Sequence, residues 1–244
     1  MVPVHVADMC KPDCTKFGLQ KYGTSSTEAN MLVIGLTGNI GSGKSEVARI
    51  LERNGIPVIV SDQIARQIMD TDEEVRMLLQ QRFGSAVVPD GAPVNRQLLA
   101  ARIFGTDPET IEHRQFVERC VHPRVLDRIA AMLDGLAAQQ TPLVVVESAL
   151  IYQAGIEELF DYIVAVVAPE SLRQERVRQR GISDADFLHR QQVQLSDDEL
   201  AARADFVLVN DGSLVDLERA TQALIAMLAA LPPRPVEHDH RSIQ

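Results

Sequence analysis

Aromatic residues are scarce in this chain of 244 residues: tryptophan is absent, and aromatics make up only 4% of the sequence. This composition argues against the stacked aromatic platforms that hold single-stranded nucleic acids. Positive charge is also in deficit, because 24 Lys plus Arg face 34 Asp plus Glu, a formal net charge of -10. Nucleic-acid-binding proteins carry a basic surface, so we expect no nucleic-acid partner.

Long apolar runs and cysteines are equally few. No run approaches the roughly 18 apolar residues of a membrane-spanning helix, so we expect no membrane attachment. The three cysteines are Cys10, Cys14 and Cys120, too few for a disulfide framework or a zinc site. This cysteine usage favours a reducing setting, so we expect a cytoplasmic location. With 45% hydrophobic residues, the chain is typical of a globular protein.

The two ends of the chain lack the apolar periodicity of helices and strands. Residues 1–30 also lack the apolar core of a signal peptide. The last residues read PPRPVEHDHRSIQ, a proline-rich polar segment that cannot continue a helix. We therefore predict a flexible extension over 1–30, a folded domain over 31–231 and a flexible tail over 232–244, with solvated His238 and His240.

Lysine is nearly absent after the first residues. Of the four lysines, only Lys44 lies beyond residue 21, where every other basic residue is arginine. Lys44 belongs to GNIGSGKS at residues 38–45, which matches the phosphate-binding loop G-x-x-x-x-G-K-[ST]. A compact ammonium fits between phosphates where a planar guanidinium does not. The motif therefore predicts binding of a nucleoside triphosphate.

The surroundings of this phosphate loop support the prediction. An apolar run at 31–37 precedes it and a helical pattern at 46–53 follows it, the strand–loop–helix context that the motif requires. Backbone amides and the positive end of the helix then face the phosphates, and the Ser45 hydroxyl is suited to Mg²⁺. A glycine-rich turn without a ligand is the alternative, but it needs neither Lys44 nor Ser45. The predicted nucleotide-binding residues of the loop are Gly38, Asn39, Ile40, Gly41, Ser42, Gly43, Lys44, Ser45 and Glu46.

Apolar runs typical of buried strands alternate with helical patterns along the chain. They lie at 31–37, 57–61, 142–147, 162–167 and 206–210. Such alternation predicts an α/β fold, here a P-loop NTPase fold with a parallel five-stranded sheet. Ligands in these sheets bind beyond the carboxyl ends of the strands, where Gly38, Asp62 and Ser148 are expected.

The interval between the second and third strands is too long for one crossover. Helical spacing recurs at 62–69, 72–83, 94–104, 107–120 and 122–139. We predict a helical insertion over about 62–141 that lies beside the sheet edge and covers the second substrate.

A second special segment spans about 169–195. Arg173, Arg176 and Arg180 fall on one face of a helix that starts after Pro169. They predict a mobile helical lid that places guanidinium groups on phosphates. A solvated surface helix is the alternative.

Asp62 stands at the end of the second strand. A kinase of small alcohols needs a carboxylate that orients the acceptor hydroxyl and takes its proton during phosphoryl transfer. Asp is also a favoured helix N-cap, and that reading stays open beside the catalytic one.

Taken in order, these segments resemble the dephospho-CoA kinase family over about residues 31–230. Besides the loop, the matching motifs are D-x-I-A-R, H-P, a strand-end segment, R-x-x-x-Q and N-x-G. They correspond to residues 62–66, 122–123, 147–152, 190–194 and 210–212.

The resemblance implies ATP as donor, Mg²⁺ as cofactor and the ribose 3′-hydroxyl of dephospho-CoA as acceptor. It implies catalytic roles for Asp62, Lys44 and Arg180, and contacts of Arg176 and Asn210 with ATP. The implied acceptor contacts are Asp62, Arg66, His122 and Ser148, and the implied metal ligand is Ser45. We expect a monomer.

Some positions depart from the family pattern or allow two interpretations. Val60 stands where the family often has an acid, and Glu46 stands where it often has Ser or Thr. Glu147 is either a metal-orienting acid or a structural carboxylate. His122 either contacts the acceptor or precedes a helix that begins at Pro123.

Two other functions share the phosphate loop. Another small-molecule kinase, for a nucleoside or shikimate, differs only in its insertion and lid. A GTP-binding switch protein needs an Asn-Lys-x-Asp motif, and no Asn in the sequence is followed by Lys.

Overall fold

The five apolar runs form one parallel sheet in the computed structural model, which describes residues 31–234. The predicted extension 1–30, most of the predicted tail, His238, His240, Cys10 and Cys14 lie outside the described residues. The strands run in the order β2-β3-β1-β4-β5, and the predicted parallel five-stranded sheet is confirmed. They are β1 (Leu32–Thr37), β2 (Val58–Val60), β3 (Leu143–Glu147), β4 (Tyr162–Val167) and β5 (Phe206–Val209).

The register of the sheet aligns the carboxyl ends of its central strands. β1 lies in the middle, with Leu36 beside Glu147 of β3 and Thr37 beside Ala165 of β4. On the far side of β3, Val60 of β2 also pairs with Glu147. The segments that follow β1, β2 and β3 therefore meet at one edge of the sheet.

Helices cover both faces of the sheet, which explains why β1 and β3 are buried along their whole length. On one face, Ile34 and Leu36 pack with α1 (Lys44–Arg53) and α9 (Leu214–Leu228). On the other, Val33 and Val146 pack with α5 (Pro108–Ala138) and α8 (Asp197–Arg203).

Helices also fill the interval between β2 and β3. Besides α5 they are α2 (Ser61–Thr71), α3 (Glu73–Phe83) and α4 (Arg96–Ile103). All three pack against α5, whose second half extends over the sheet and contributes Ile129 and Leu133 to the core. α2 begins directly after β2, so its first turn lies at the carboxyl edge of the sheet.

Pro123 does not interrupt α5, and the predicted helix boundary at residues 120–122 is wrong. A proline inside a helix removes one backbone hydrogen bond and crowds the preceding turn. Here the buried stripe of Val117, Val121 and Val125 continues across the proline without a change of register. The burial of this stripe offsets the lost hydrogen bond, and the helix continues. His122 therefore lies in mid-helix, and its interpretation as a helix-start residue is also wrong.

Two helices occupy the predicted lid segment, α6 (Glu170–Gln179) and α7 (Asp184–Val193). Arg178 donates two hydrogen bonds, of 2.7 and 2.8 Å, to the Asp184 carboxylate and joins them. A short 3₁₀ helix, Glu157–Leu159, precedes β4. Among residues 31–234, no helix is long and apolar enough to span a bilayer.

Candidate active site

The phosphate loop is built closely against its neighbours. Gly43 has φ 103° and Gly41 has φ 81°, values that favour glycine. A Cβ atom on Gly43 would lie 2.1 Å from Asn210 Nδ2, and one on Gly41 would lie 2.5 Å from the Arg173 carbonyl oxygen. Glycine is therefore required at both positions by conformation and by space.

The first two amides of α1 lie at the end of the phosphate loop. Within the described part of the chain, the N–H groups of Lys44 and Ser45 have no hydrogen-bond partner. Unpaired amides at the positive end of a helix form a binding site for an anion. The loop therefore offers donors where a phosphate would bind.

Lys44, which carries one of these amides, forms an ion pair with Glu147 through its side chain. Their side chains are only 11% and 5% exposed, and buried charges are stable when they are paired. The pair forms because Lys44 opens the helix after β1 and Glu147 ends the adjacent β3. Glu147 thus supplies the countercharge of Lys44.

Asp62 lies in the first turn of α2 with an exposed carboxylate. The N-cap interpretation is wrong, because the cap residue is Val60 and no side-chain cap bond forms. Asp62 makes no hydrogen bond or ion pair with residues 31–234. Arg66 lies one turn further on the same face, and its exposed side chain likewise has no described partner. Both groups are available to a ligand.

Asn210 and Arg176 hold the second half of the phosphate loop. Asn210 is buried, and its Nδ2 donates to the Ser42 carbonyl at 2.7 Å. Arg176 lies 3.2 Å from the Asn210 carbonyl and 3.4 Å from that of Gly41. Both residues, which the sequence assigns to ATP, therefore reach the loop itself.

The first half of the loop is held by residues that sequence analysis did not assign. Asn39 Nδ2 donates to Asp197 Oδ1 at 2.6 Å and to the Leu195 carbonyl at 2.9 Å. The Ile40 amide donates to Gln194 Oε1 at 3.0 Å. Gln194 belongs to the R-x-x-x-Q motif, which is its only sequence signal, and nothing in the sequence marks Asp197.

The three arginines of the predicted lid face have different surroundings. Arg173 is 4% exposed, its Nε lies 3.1 Å from the Ala168 carbonyl and 3.3 Å from Asp197 Oδ2, and its guanidinium lies over the Phe187 ring. The prediction that Arg173 offers its charge to phosphates is therefore wrong. Arg180 is exposed at the end of α6 and has no side-chain partner within residues 31–234.

The other predicted site residues lie on different elements of the fold. Ser148 is buried just after Glu147, and its Oγ accepts from the Leu150 amide at 3.3 Å. His122 is half-buried on α5, where burial lowers the pKa of its imidazole. The Glu46 carboxylate accepts a hydrogen bond from Arg49, one turn along α1. The carboxylate is therefore held away from the loop.

The groups available to a magnesium ion suit a nucleotide-bound metal. Ser45 exposes its hydroxyl on the first turn of α1. Residues 31–234 contain no cluster of three His, Cys, Asp or Glu side chains that would hold a metal alone. Mg²⁺ in kinases is held by phosphates and water with one or two protein oxygens, so the residues present fit that ion.

Comparisons with known proteins agree on one family. The dephospho-CoA kinase family model matches residues 32–216. A dephospho-CoA kinase from Salinibacter ruber is 38% identical over 195 residues, which cover 80% of this chain and 96% of the relative. One from Thermus thermophilus is 38% identical over 198 residues, covering 81% and 92%.

Solved structures support the fold. A crystal structure of a Thermus thermophilus protein matches with a TM-score of 0.66 and 38% identity, over 82% of this chain and 98% of that one. The dephospho-CoA kinase of Campylobacter jejuni matches with a TM-score of 0.55 at 23% identity, over 81% and 97%, which supports the fold. Neither alternative function, another small-molecule kinase or a switch protein, is favoured. The chain belongs to the dephospho-CoA kinase family, and it is a kinase, as its motifs predicted.

Proposed function

We propose that this kinase transfers the γ-phosphoryl group of ATP to the ribose 3′-hydroxyl of dephospho-CoA, which yields coenzyme A. The observation that carries the proposal is the edge of the sheet where the phosphate loop, Lys44, Glu147 and Asp62 come together. Family membership specifies the acceptor. Donor amides, a lysine and a free carboxylate are the groups that phosphoryl transfer to an alcohol requires.

Asp62 acts as the general base. Its carboxylate is exposed and has no partner within the described part of the chain, so it is free to contact the acceptor hydroxyl. It lies in the turn after β2, and β2 neighbours the strand that carries Glu147. There it accepts the proton of the acceptor hydroxyl as the phosphoryl group arrives.

Lys44 and Arg180 stabilise charge on the transferred group. Lys44 exchanges its contact with Glu147 for the oxygens of the phosphates, whose negative charge replaces that of the carboxylate. Arg180 has no protein partner among residues 31–234 and lies at the end of α6, so its guanidinium remains available. The loop amides, with Arg176 and Asn210 behind them, hold the rest of the triphosphate.

Mg²⁺ would accompany ATP, with the Ser45 hydroxyl as the residue that would hold it and the Glu147 carboxylate as a candidate second oxygen donor. When bound, the ion neutralises charge on the β- and γ-phosphates. Glu147 pairs with Lys44, and its carboxylate would also be able to serve the ion once Mg·ATP is bound.

The acceptor binds over the carboxyl edge between the helices of 62–141 and the segment 169–195. Arg66 shares the exposed face of Asp62 and supplies positive charge for a phosphorylated acceptor. Ser148, directly after β3, and His122, on α5, are the further acceptor contacts in this proposal. A monomeric state and a cytoplasmic location remain predictions.

The acceptor is tested by measuring ADP release in the presence of dephospho-CoA, nucleosides, shikimate and gluconate. We expect saturable turnover with dephospho-CoA alone, and a product whose mass equals that of coenzyme A. Saturable turnover on another acceptor, with none on dephospho-CoA, would contradict the proposal. Magnesium dependence is read in the same assay by titration with the metal.

A further inference from the structure

We propose that Gln194 and Asp197 are positioning residues for nucleotide binding, which act by holding the first half of the phosphate loop. They belong to residues 194–197, here called the strap, which comprise the link between α7 and α8 and the first residue of α8. The strap lies against Asn39 and Ile40. It sets the shape of the loop without touching the phosphates.

The strap meets the loop through three hydrogen bonds. Gln194 Oε1 accepts from the Ile40 amide at 3.0 Å. Asn39 Nδ2 donates to the Leu195 carbonyl at 2.9 Å and to Asp197 Oδ1 at 2.6 Å. These bonds satisfy donors of a loop that belongs to neither a helix nor a strand. Without them the chain around residue 40 would lose its main support.

Asp197 also connects the loop to α6. Its Oδ2 lies 3.3 Å from the buried Arg173 Nε, while Oδ1 accepts from Asn39. A buried guanidinium needs a nearby negative charge, and a carboxylate in the first turn of α8 is favoured by the helix dipole. One carboxylate therefore holds two groups in place, and Gly41 lies directly against the backbone of Arg173.

The phosphate loop is thus held from two sides. The strap holds Asn39 and Ile40, and Asn210 with Arg176 holds Gly41 and Ser42. Donors held in position before the ligand arrives bind it more tightly, because less order has to be created on binding. Loss of the strap contacts should therefore weaken nucleotide binding and leave acceptor binding nearly unchanged.

The first experiment compares Gln194→Leu with Gln192→Leu. The two changes are chemically identical and lie two residues apart, but the Gln192 side chain is exposed and makes no hydrogen bond within the described residues. We expect Gln194→Leu to raise the Kd for Mg·ADP about tenfold by calorimetry, since a loop donor loses its acceptor. In Gln194→Leu the KM for ATP should rise in parallel with this Kd, while the KM for dephospho-CoA stays at the wild-type value. Gln192→Leu should keep the wild-type thermal midpoint.

Amide hydrogen exchange provides a direct measurement of the contact. In the nucleotide-free protein, the Ile40 amide should exchange faster in Gln194→Leu than in wild type or Gln192→Leu. Unchanged exchange at Ile40, or an unchanged Kd for Mg·ADP, would overturn the proposal. A rise in Kd shared by both leucine variants would also overturn it.

A second pair of variants keeps the test informative if Gln194→Leu fails to fold. Asp197→Asn retains an oxygen for Asn39 and loses the charge, whereas Asp197→Leu loses both. We expect Asp197→Asn to bind Mg·ADP several-fold more tightly than Asp197→Leu; equal affinities would refute the role of the Asn39 contact. These measurements require nucleotide binding only, so their failure is separate from that of the proposed acceptor.

Discussion

Glu147 ends β3 between the carboxyl ends of β1 and β2, and its carboxylate is paired with Lys44. Lys44 is also the first residue of α1, where the phosphate loop ends, and both side chains of the pair are nearly buried. When phosphates arrive, they offer Lys44 a second source of negative charge. The ion pair thus compensates the positive charge of Lys44 before the substrate binds.

Replacement of Glu147 by Gln tests this relationship. The Lys44 ammonium would lose its countercharge, and we expect the nucleotide-free protein to lose about 2 kcal/mol of unfolding free energy. Mg·ADP should recover part of that loss, because the phosphates replace the carboxylate. Thermal unfolding with and without nucleotide measures both effects, with the exposed Glu158→Gln as control. An equal loss in the two ligand states would argue against the exchange.

Asp62→Asn separates proton acceptance from nucleotide binding. The amide keeps the size of the side chain but cannot take a proton, so turnover should fall by roughly 10²–10⁴. The Kd for ATP should remain within about twofold, since Asp62 lies in α2 and outside the phosphate loop. Steady-state kinetics and calorimetry check the two parts. Asp134→Asn, an exposed residue of α5, should retain wild-type turnover.

Much of this site was predictable from local sequence. Continuous apolar runs identified the strands because central parallel strands are covered on both faces. Polar residues directly after these runs then predicted the edge of the sheet where the candidate site lies, since all the carboxyl ends of parallel strands lie on one side. The pairing of Lys44 with Glu147 was not predicted, because it depends on which strands are neighbours, and chain order does not specify the order β2-β3-β1-β4-β5.

The errors also have identifiable causes. Pro123 predicted a helix boundary, but the buried stripe on both sides of it continues and keeps α5 intact. Arg173 shares a helical face with Arg176, yet Asp197 and Phe187, which lie further along the chain, draw its guanidinium into the interior. Gln194 and Asp197 were missed because their partners lie 154 and 158 residues away. Periodicity reports on one element at a time, whereas these contacts join several.

The substitution Lys44→Arg tests why the single lysine in the described part of the chain is required. The guanidinium retains the charge but is wider and planar, and it does not fit between adjacent phosphates as an ammonium does. We expect Lys44→Arg to lose nucleotide affinity and turnover nearly as severely as Lys44→Ala. Calorimetry with Mg·ADP and turnover measurements on both variants provide the comparison. Near-wild-type activity of Lys44→Arg would show that charge alone is sufficient.

Arg180→Ala and Arg178→Ala form a matched pair at the end of α6. Arg178 is engaged by Asp184, whereas Arg180 has no described partner. Removal of Arg180 should lower kcat by roughly 10²–10³, because charge on the transferred group loses a donor. Arg178→Ala should leave kcat within about twofold, since an exposed ion pair is screened by water. Comparable kcat values for the two variants would contradict the assignment of Arg180.

His122 should make stability depend on pH in a defined direction. Burial lowers the pKa of its imidazole from 6.5, so the unfolded chain binds a proton more readily than the folded protein. Its contribution is complete above pH 6.5 and declines as the pH falls below that value, because protonation favours unfolding. Between pH 8 and pH 5, His122→Gln should therefore lose less unfolding free energy than wild type. Urea unfolding across this range measures the difference, and parallel curves for the two proteins would show that the imidazole titrates alike in both states.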